Sequence, residues 1–279
     1  MEAALIKLSS PATREYWEIP VLLEDERLLV VAKPAGLAVS PDRLAPDRPS
    51  LLPLLHQGIA GGKPWARERG ITYLAPVHRL DPEASGVLVL ARSKATLIHL
   101  LNLVASEKPF ITYLALVEGA AADDQFEVDA PLARRPAPAG FVRVDPRHGK
   151  KSRTRFEVVE RFSNWTLLRC QPFFNRPHQV RAHLRHAGFP LVGDSLYGGH
   201  PLLLSRLKPD YRLKAGAVEK PLIGRPALHA ERVDLADSPS ERAIAVTAPV
   251  AKDMVVALKY LGRFGKGRTQ EHGEPTAGE

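Results

Sequence analysis

The chain has 279 residues, 44% hydrophobic and 25% charged, with 39 lysines and arginines against 31 aspartates and glutamates and a formal net charge of +8 at pH 7. This length and apolar content sustain a packed globular core and argue against a disordered chain, and the positive balance favours polyanionic partners. A single cysteine, Cys170, excludes an internal disulfide and any cysteine-built metal cluster. The opening Met1-Glu-Ala-Ala-Leu-Ile-Lys-Leu8 has no basic segment leading into a sustained apolar run, and no stretch reaches the apolar length of a membrane span. A cytoplasmic location without a membrane partner is the expectation.

Residues 1–20 read as an N-terminal extension. Val21 to Gly36 is an apolar strand candidate broken by Lys33-Pro34 and Gly36. Leu51 to His56 is a short helix inside a loop-rich stretch. His78-Arg-Leu-Asp81-Pro82 follows on a turn, then Gly86-Val-Leu-Val-Leu-Ala91, a buried strand, so a polar cluster sits on a loop feeding the core. Ser93 caps a helix whose Leu97, Leu100, Leu101 and Val104 follow helical spacing. Phe110 to Val117 is a strand, and Gly119 to Gly149, with Arg134 and Arg135 at its middle, a projecting loop or hairpin. Arg153 to Glu160 and Trp165 to Pro172 form an antiparallel hairpin, and His178 to Ala187 a helix closed by Gly188 and Pro190. A strand near 227–235 and a helix near 250–261 precede a polar tail, 262–279, expected to be disordered. The order of elements implies an α+β fold, a largely antiparallel central sheet flanked by helices and loops, in one domain over 21–261.

Two clusters carry possible chemistry. Asp81 lies between Arg79 and Pro82 on a stiffened turn before a core strand, a rigid place for a functional carboxylate. The residues alone equally allow an aspartate that merely caps the turn. In Asn175-Arg-Pro-His-Gln-Val-Arg181, helical geometry puts His178 and Arg181 on one face, where a guanidinium can clamp a carboxylate or a phosphate. His178, His183 and His186 lack the spacing and the companion glutamate of a zinc site, so no metal is expected. No nucleotide-binding glycine motif is present: the Gly-Lys of Gly262 to Thr269 is not followed at once by Ser or Thr.

Val77-His-Arg-Leu-Asp-Pro-Glu-Ala-Ser-Gly-Val-Leu-Val-Leu-Ala-Arg92 resembles the His-Arg-Leu-Asp motif of the RluA-type family of pseudouridine synthases. Glu24 to Gly36 is similar to the family's opening strand and Lys-Pro-x-Gly turn, and Tyr113 to Gly119 to its tyrosine-bearing strand. Gly149 to Thr154 is a weaker shared element. Arg176 to Gly198 resembles its Gly-Arg-Thr-His-Gln-Ile-Arg and Gly-Asp-x-x-Tyr-Gly segments, and Leu228-His-Ala230 its late signature. Asn175 and Pro177 stand where the family has Gly and Thr, and Ile111 where it commonly has a basic residue.

The resemblance implies an RNA pseudouridine synthase acting on ribosomal or transfer RNA, as a monomer and without a cofactor. It implies Asp81, Tyr113 and Arg181 as catalytic, with Arg181 paired to Asp81 and Tyr113 stacked on the base, where its hydroxyl is also a candidate to take the C5 proton at the end. His78, Arg79, Arg176, His178 and Gln179 would bind RNA, Arg79 entering the gap left by a flipped base. Many members carry an N-terminal S4-type domain, for which residues 1–20 are too few, so a stand-alone catalytic domain is expected. A competing reading is a glycosidic-bond hydrolase using Asp81 and Asp194 as paired carboxylates.

Overall fold

The computed structural model describes residues 4–42, 45–105, 108–135, 140–208, 210–214, 216–235 and 243–265. Strands β1 (Leu5–Ser10), β2 (Glu15–Glu24) and β3 (Leu28–Lys33) open the chain, followed by helices α1 (Leu51–Ala60) and α2 (Pro64–Arg67). Strands β4 (Ala75–Pro76) and β5 (Ser85–Ala91), helix α3 (Lys94–Val104) and strand β6 (Ile111–Glu118) come next. Strands β7 (Gln125–Asp129), β8 (Leu132–Arg134), β9 (Val142–Val144), β10 (Arg153–Arg161) and β11 (Trp165–Pro172) then lead to helix α4 (Gln179–His186) and a 3-10 turn, Ser195–Tyr197. Helix α5 (Leu204–Leu207), strands β12 (Leu228–Leu235) and β13 (Ile244–Thr247) and helix α6 (Lys252–Phe264) complete the described chain.

One sheet runs in the order β1-β2-β3-β5-β12-β6-β11-β10-β7, with β4 pairing to β5 and β13 to β12 outside that path, while β8 and β9 form a separate hairpin. Its pairings are antiparallel apart from β5 with β12. The α+β reading with a largely antiparallel sheet therefore holds. Burial explains the two strand patterns. Strand β5 lies inside the sheet and is buried along its whole length, so its sequence is continuously apolar from Val87 to Ala91. Strand β10 lies next to the edge strand; its Thr154 and Phe156 point inward while Arg155 and Glu157 face solvent.

At the parallel junction Gly86 has φ +117°, and a Cβ there would stand 2.1 Å from the Ala230 carbonyl oxygen. Only glycine lets β5 come this close to β12. Ala230 in turn pairs with Tyr113 on β6. Strand β12 thus separates the turn that carries Asp81 from the strand that carries Tyr113.

Several boundaries differ from the sequence expectation. Within 1–20, residues of β1 and β2 form a hairpin continuous with the sheet, with Ile6, Leu8 and Ile19 in the core. Residues 21–36 hold parts of two strands rather than one. The chain turns at Asp25, whose Oδ1 accepts from the backbone N–H groups of Arg27 and Leu28, both at 2.7 Å. Helix α1 runs on to Ala60. Helix α6 passes through Gly262 to Phe264, and most of the expected tail, 266–279, lies outside the described residues. Of the stretch expected to project, 119–149, β7 joins the central sheet beside β10 while β8 and β9 pair as a hairpin, and residues 136–139 lie outside the described residues.

Candidate active site

The turn bearing Asp81 is fastened on several sides. Its own Ala84 N–H closes on the Asp81 carbonyl at 3.1 Å. The Pro82 carbonyl accepts from the Gly36 N–H at 2.9 Å and from Lys33 Nζ at 3.1 Å. The Glu83 carbonyl accepts from Arg225 Nη1 at 3.1 Å. Lys33 is fully buried and also donates to the carbonyls of Pro34 and Leu37, both at 2.8 Å. Burial pulls its pKa down to about 7, while Asp81 and Glu83 push the other way. These anchors leave the Asp81 side chain 19% exposed on the floor of a cleft of about 1010 Å³.

Helix α4 brings the opposing charge. His178 takes a left-handed conformation, φ 53°, at the helix N-cap, and Arg181 follows in the first turn, buried. Its guanidinium is shared: Nη1 donates to Asp81 Oδ2 at 3.1 Å, while Nε and Nη2 donate to Asp194 Oδ2 and Oδ1 at 2.7 and 2.8 Å. Burial opposes the charged form of Arg181, but its hydrogen bonds to Asp194 and the fields of Asp81 and Asp194 outweigh it, and its pKa rises. The ring of Tyr197 lies 5.0 Å below the guanidinium, and the Tyr197 hydroxyl meets His178 Nδ1 at 3.1 Å and accepts from the Val142 N–H at 2.9 Å. Asp194 and Tyr197 thus fix Arg181, a role the sequence reading did not foresee for either; their signal is the spacing in Gly193-Asp-Ser-Leu-Tyr-Gly198.

Tyr113 lines the same cleft as Asp81 and Arg181. Burial, then the Asp81 charge, raises its phenol pKa, so the hydroxyl keeps its proton. His178 Nε2 sits 3.9 Å from Asp81 Oδ2, and burial lowers its pKa, so it faces the carboxylate as a neutral ring. Arg79 and Arg176 also line the cleft, with Arg48, Arg134 and Arg135, and Arg79 is exposed. Arg176 Nε is buried without a hydrogen-bond partner.

Two residues expected at the RNA are buried, although Gln179 still lines the cleft. His78 is 3% exposed, packs edge-on against Phe110 and accepts the Val89 N–H at Nε2; it braces β5 from within the core. Gln179 is also buried, and its Nε2 donates to the Arg153 carbonyl and Thr154 Oγ1, so it ties α4 to β10. Ile111, at the position of a common basic residue, is buried in the core instead. His183 bridges Thr154 Oγ1 and the Ala130 carbonyl, and among the described residues no cluster of His, Cys, Asp or Glu could hold a metal ion. The paired-carboxylate reading also fails, because both Asp194 oxygens are taken by Arg181 and the residue is 1% exposed.

A buried guanidinium holds one partly exposed carboxylate in an arginine-lined cleft, an arrangement able to accept a polyanion and to present that carboxylate to it. The RNA pseudouridylate synthase family model matches residues 27–186, and the chain belongs to that family. It is 34% identical over 253 residues to ribosomal large subunit pseudouridine synthase D of Nitrosomonas europaea, covering 87% of this chain and 65% of that protein. It is 37% identical over 180 residues to ribosomal large subunit pseudouridine synthase C of Escherichia coli, covering 64% and 53%. The chain thus spans between about half and two thirds of these relatives' lengths. The solved structure of human RNA pseudouridylate synthase domain containing 4 superposes with a TM-score of 0.65 at 22% identity, over 87% of this chain and 92% of that one, a shared fold.

Proposed function

We propose that this protein isomerises uridine to pseudouridine in RNA, with Asp81 as the catalytic carboxylate. The observation that carries the reading is the Asp81–Arg181 pair, 3.1 Å apart on the floor of the cleft in a chain of this family. The reaction detaches uracil N1 from the ribose, turns the base and rejoins it through C5. Asp81 would either attack the anomeric carbon or take a ribose proton, and both routes use the carboxylate that Arg181 Nη1 holds at 3.1 Å. The base would lie against Tyr113. Its buried, amphipathic phenol suits a packing and orienting role against that base.

A uridine must leave its stack to reach Asp81, at a cost of roughly a few kcal/mol. Arg79, exposed at the cleft, is the side chain suited to fill the gap, and Arg176 and His178 to hold the displaced nucleotide. The names of the relatives favour ribosomal RNA of the large subunit over transfer RNA. Incubating the protein with unmodified transcripts of both, then mapping pseudouridine by carbodiimide labelling and reverse transcription, tests substrate and reaction together. Stops in large-subunit RNA alone are expected; stops only in transfer RNA would reverse the substrate, and none in either would overturn the activity.

A further inference from the structure

We propose that a strand of the substrate RNA leaves the cleft over Arg176 and runs along a strip of cations laid on two phenylalanine rings beside strand β10. The inference rests on the RNA-directed reading above. Phe173 and Phe174 follow strand β11 directly, and the Phe173 N–H donates to the Arg153 carbonyl at 2.9 Å, which fixes that turn to β10. Arg153 lies over the Phe173 ring at 3.9 Å and Arg155 at 5.5 Å, while Lys151 and Arg176 lie over the Phe174 ring at 5.6 and 5.5 Å. Arg153 and Arg155 share one side of β10, because Thr154 between them points into the core.

Three features suit this strip to a nucleic-acid strand. It gathers cations at the cleft's edge: one carboxylate, Glu127, stands 3.8 Å from both Arg153 and Arg155, with Asp129 opposite Arg153 in the β7–β10 register. Contact with the rings restricts the cations and so reduces the side-chain entropy lost when a phosphate binds. It is continuous with the cleft through Arg176, whose buried Nε has no hydrogen-bond partner. A buried charged donor in that state is costly, and a phosphate or base oxygen arriving beside the cleft would satisfy it. The strip has no built pocket for a base edge, so it reads backbone and stacking surface and not sequence.

The test compares wild type with Arg153→Gln/Arg155→Gln and with Glu127→Gln, using fluorescence anisotropy on labelled oligouridines of about 16 and about 4 nucleotides over a range of salt. For the long oligomer the double variant should lose about 0.7 per phosphate contact from the slope of log K against log salt, about 1.4 for two. For the short one, which fits within the cleft, the slope should not change. Glu127→Gln removes the opposing charge and should tighten long-oligomer binding several-fold, a gain that a folding defect does not produce. Equal slopes for wild type and the double variant, or no tightening with Glu127→Gln, would overturn the strip. Wild type that binds with the expected slope but forms no pseudouridine in any RNA would overturn the synthase reading and leave the strip standing; wild type that binds neither oligomer would overturn both.

Discussion

Replacing Asp194 by asparagine tests whether Arg181 is aimed at Asp81 by a partner on its far side. Asparagine keeps the shape but puts an NH2 group against one of the two guanidinium N–H groups that now reach Asp194 Oδ2 and Oδ1 at 2.7 and 2.8 Å. Breaking a buried ion pair typically costs about 3–5 kcal/mol. Here Asp81 remains on Nη1 at 3.1 Å, which places the stability loss nearer about 3 kcal/mol. The catalytic loss has a separate cause. Without Asp194, Arg181 is free to swing its fork wholly onto Asp81, and displacements near 1 Å at a reacting group cost on the order of a hundredfold. Tritium release from C5-labelled uridine in RNA should therefore show kcat down about ten- to a hundredfold with KM little changed, while urea denaturation reports the lost stability. A variant as stable as wild type to within about 0.5 kcal/mol, with kcat intact, would refute the view that Asp194 sets the geometry.

Other perturbations follow from the same contacts. Gly86→Ala should unfold the protein or lower its melting temperature sharply, because the new Cβ meets the Ala230 carbonyl at 2.1 Å in a φ +117° conformation; a calorimetric midpoint near that of wild type contradicts this. Ser93→Ala removes the acceptor for the Thr96 N–H and should cost about 1 kcal/mol in chemical denaturation with activity unchanged. Burial lowers the pKa of His78 and His183 to about 4 from 6.5. The unfolded chain then binds more protons than the folded one between those values, so stability falls as pH drops from 6.5 towards 4, by up to about 1.4 kcal/mol per pH unit for each histidine. His78→Gln keeps an acceptor for the Val89 N–H and should flatten that acid limb; an unchanged limb in urea titrations at several pH values would count against the assignment.

The sequence carried the site further than the edges of the fold. Asp81, Arg181 and Tyr113 belong to long, specific motifs, and the structure gathers all three around one cleft although they are scattered along the chain. What linear spacing could not carry was burial. His78 and Gln179 sit inside those same motifs yet point into the core, because a motif marks a position without saying which way its side chain faces. Asp194 and Tyr197 were visible as a pattern, but their role depends on a helix end folding over them. The β1 strand was legible in the alternation of Leu5 to Ser10, with Ile6, Leu8 and Ser10 buried, yet so short a run competes weakly with a loop until β2 pairs with it. Phe173 and Phe174 gave no signal as a platform, since the cations above them come mostly from β10 and the residues just before it.

The central claim is that the Asp81 carboxylate performs the isomerisation. Wild type and Asp81→Asn should be compared on one RNA transcript, with pseudouridine quantified by nucleoside chromatography and mass spectrometry and RNA binding measured in parallel. The asparagine variant should bind RNA about as wild type does and form no pseudouridine; pseudouridine formed by Asp81→Asn at a rate near that of wild type would contradict the account.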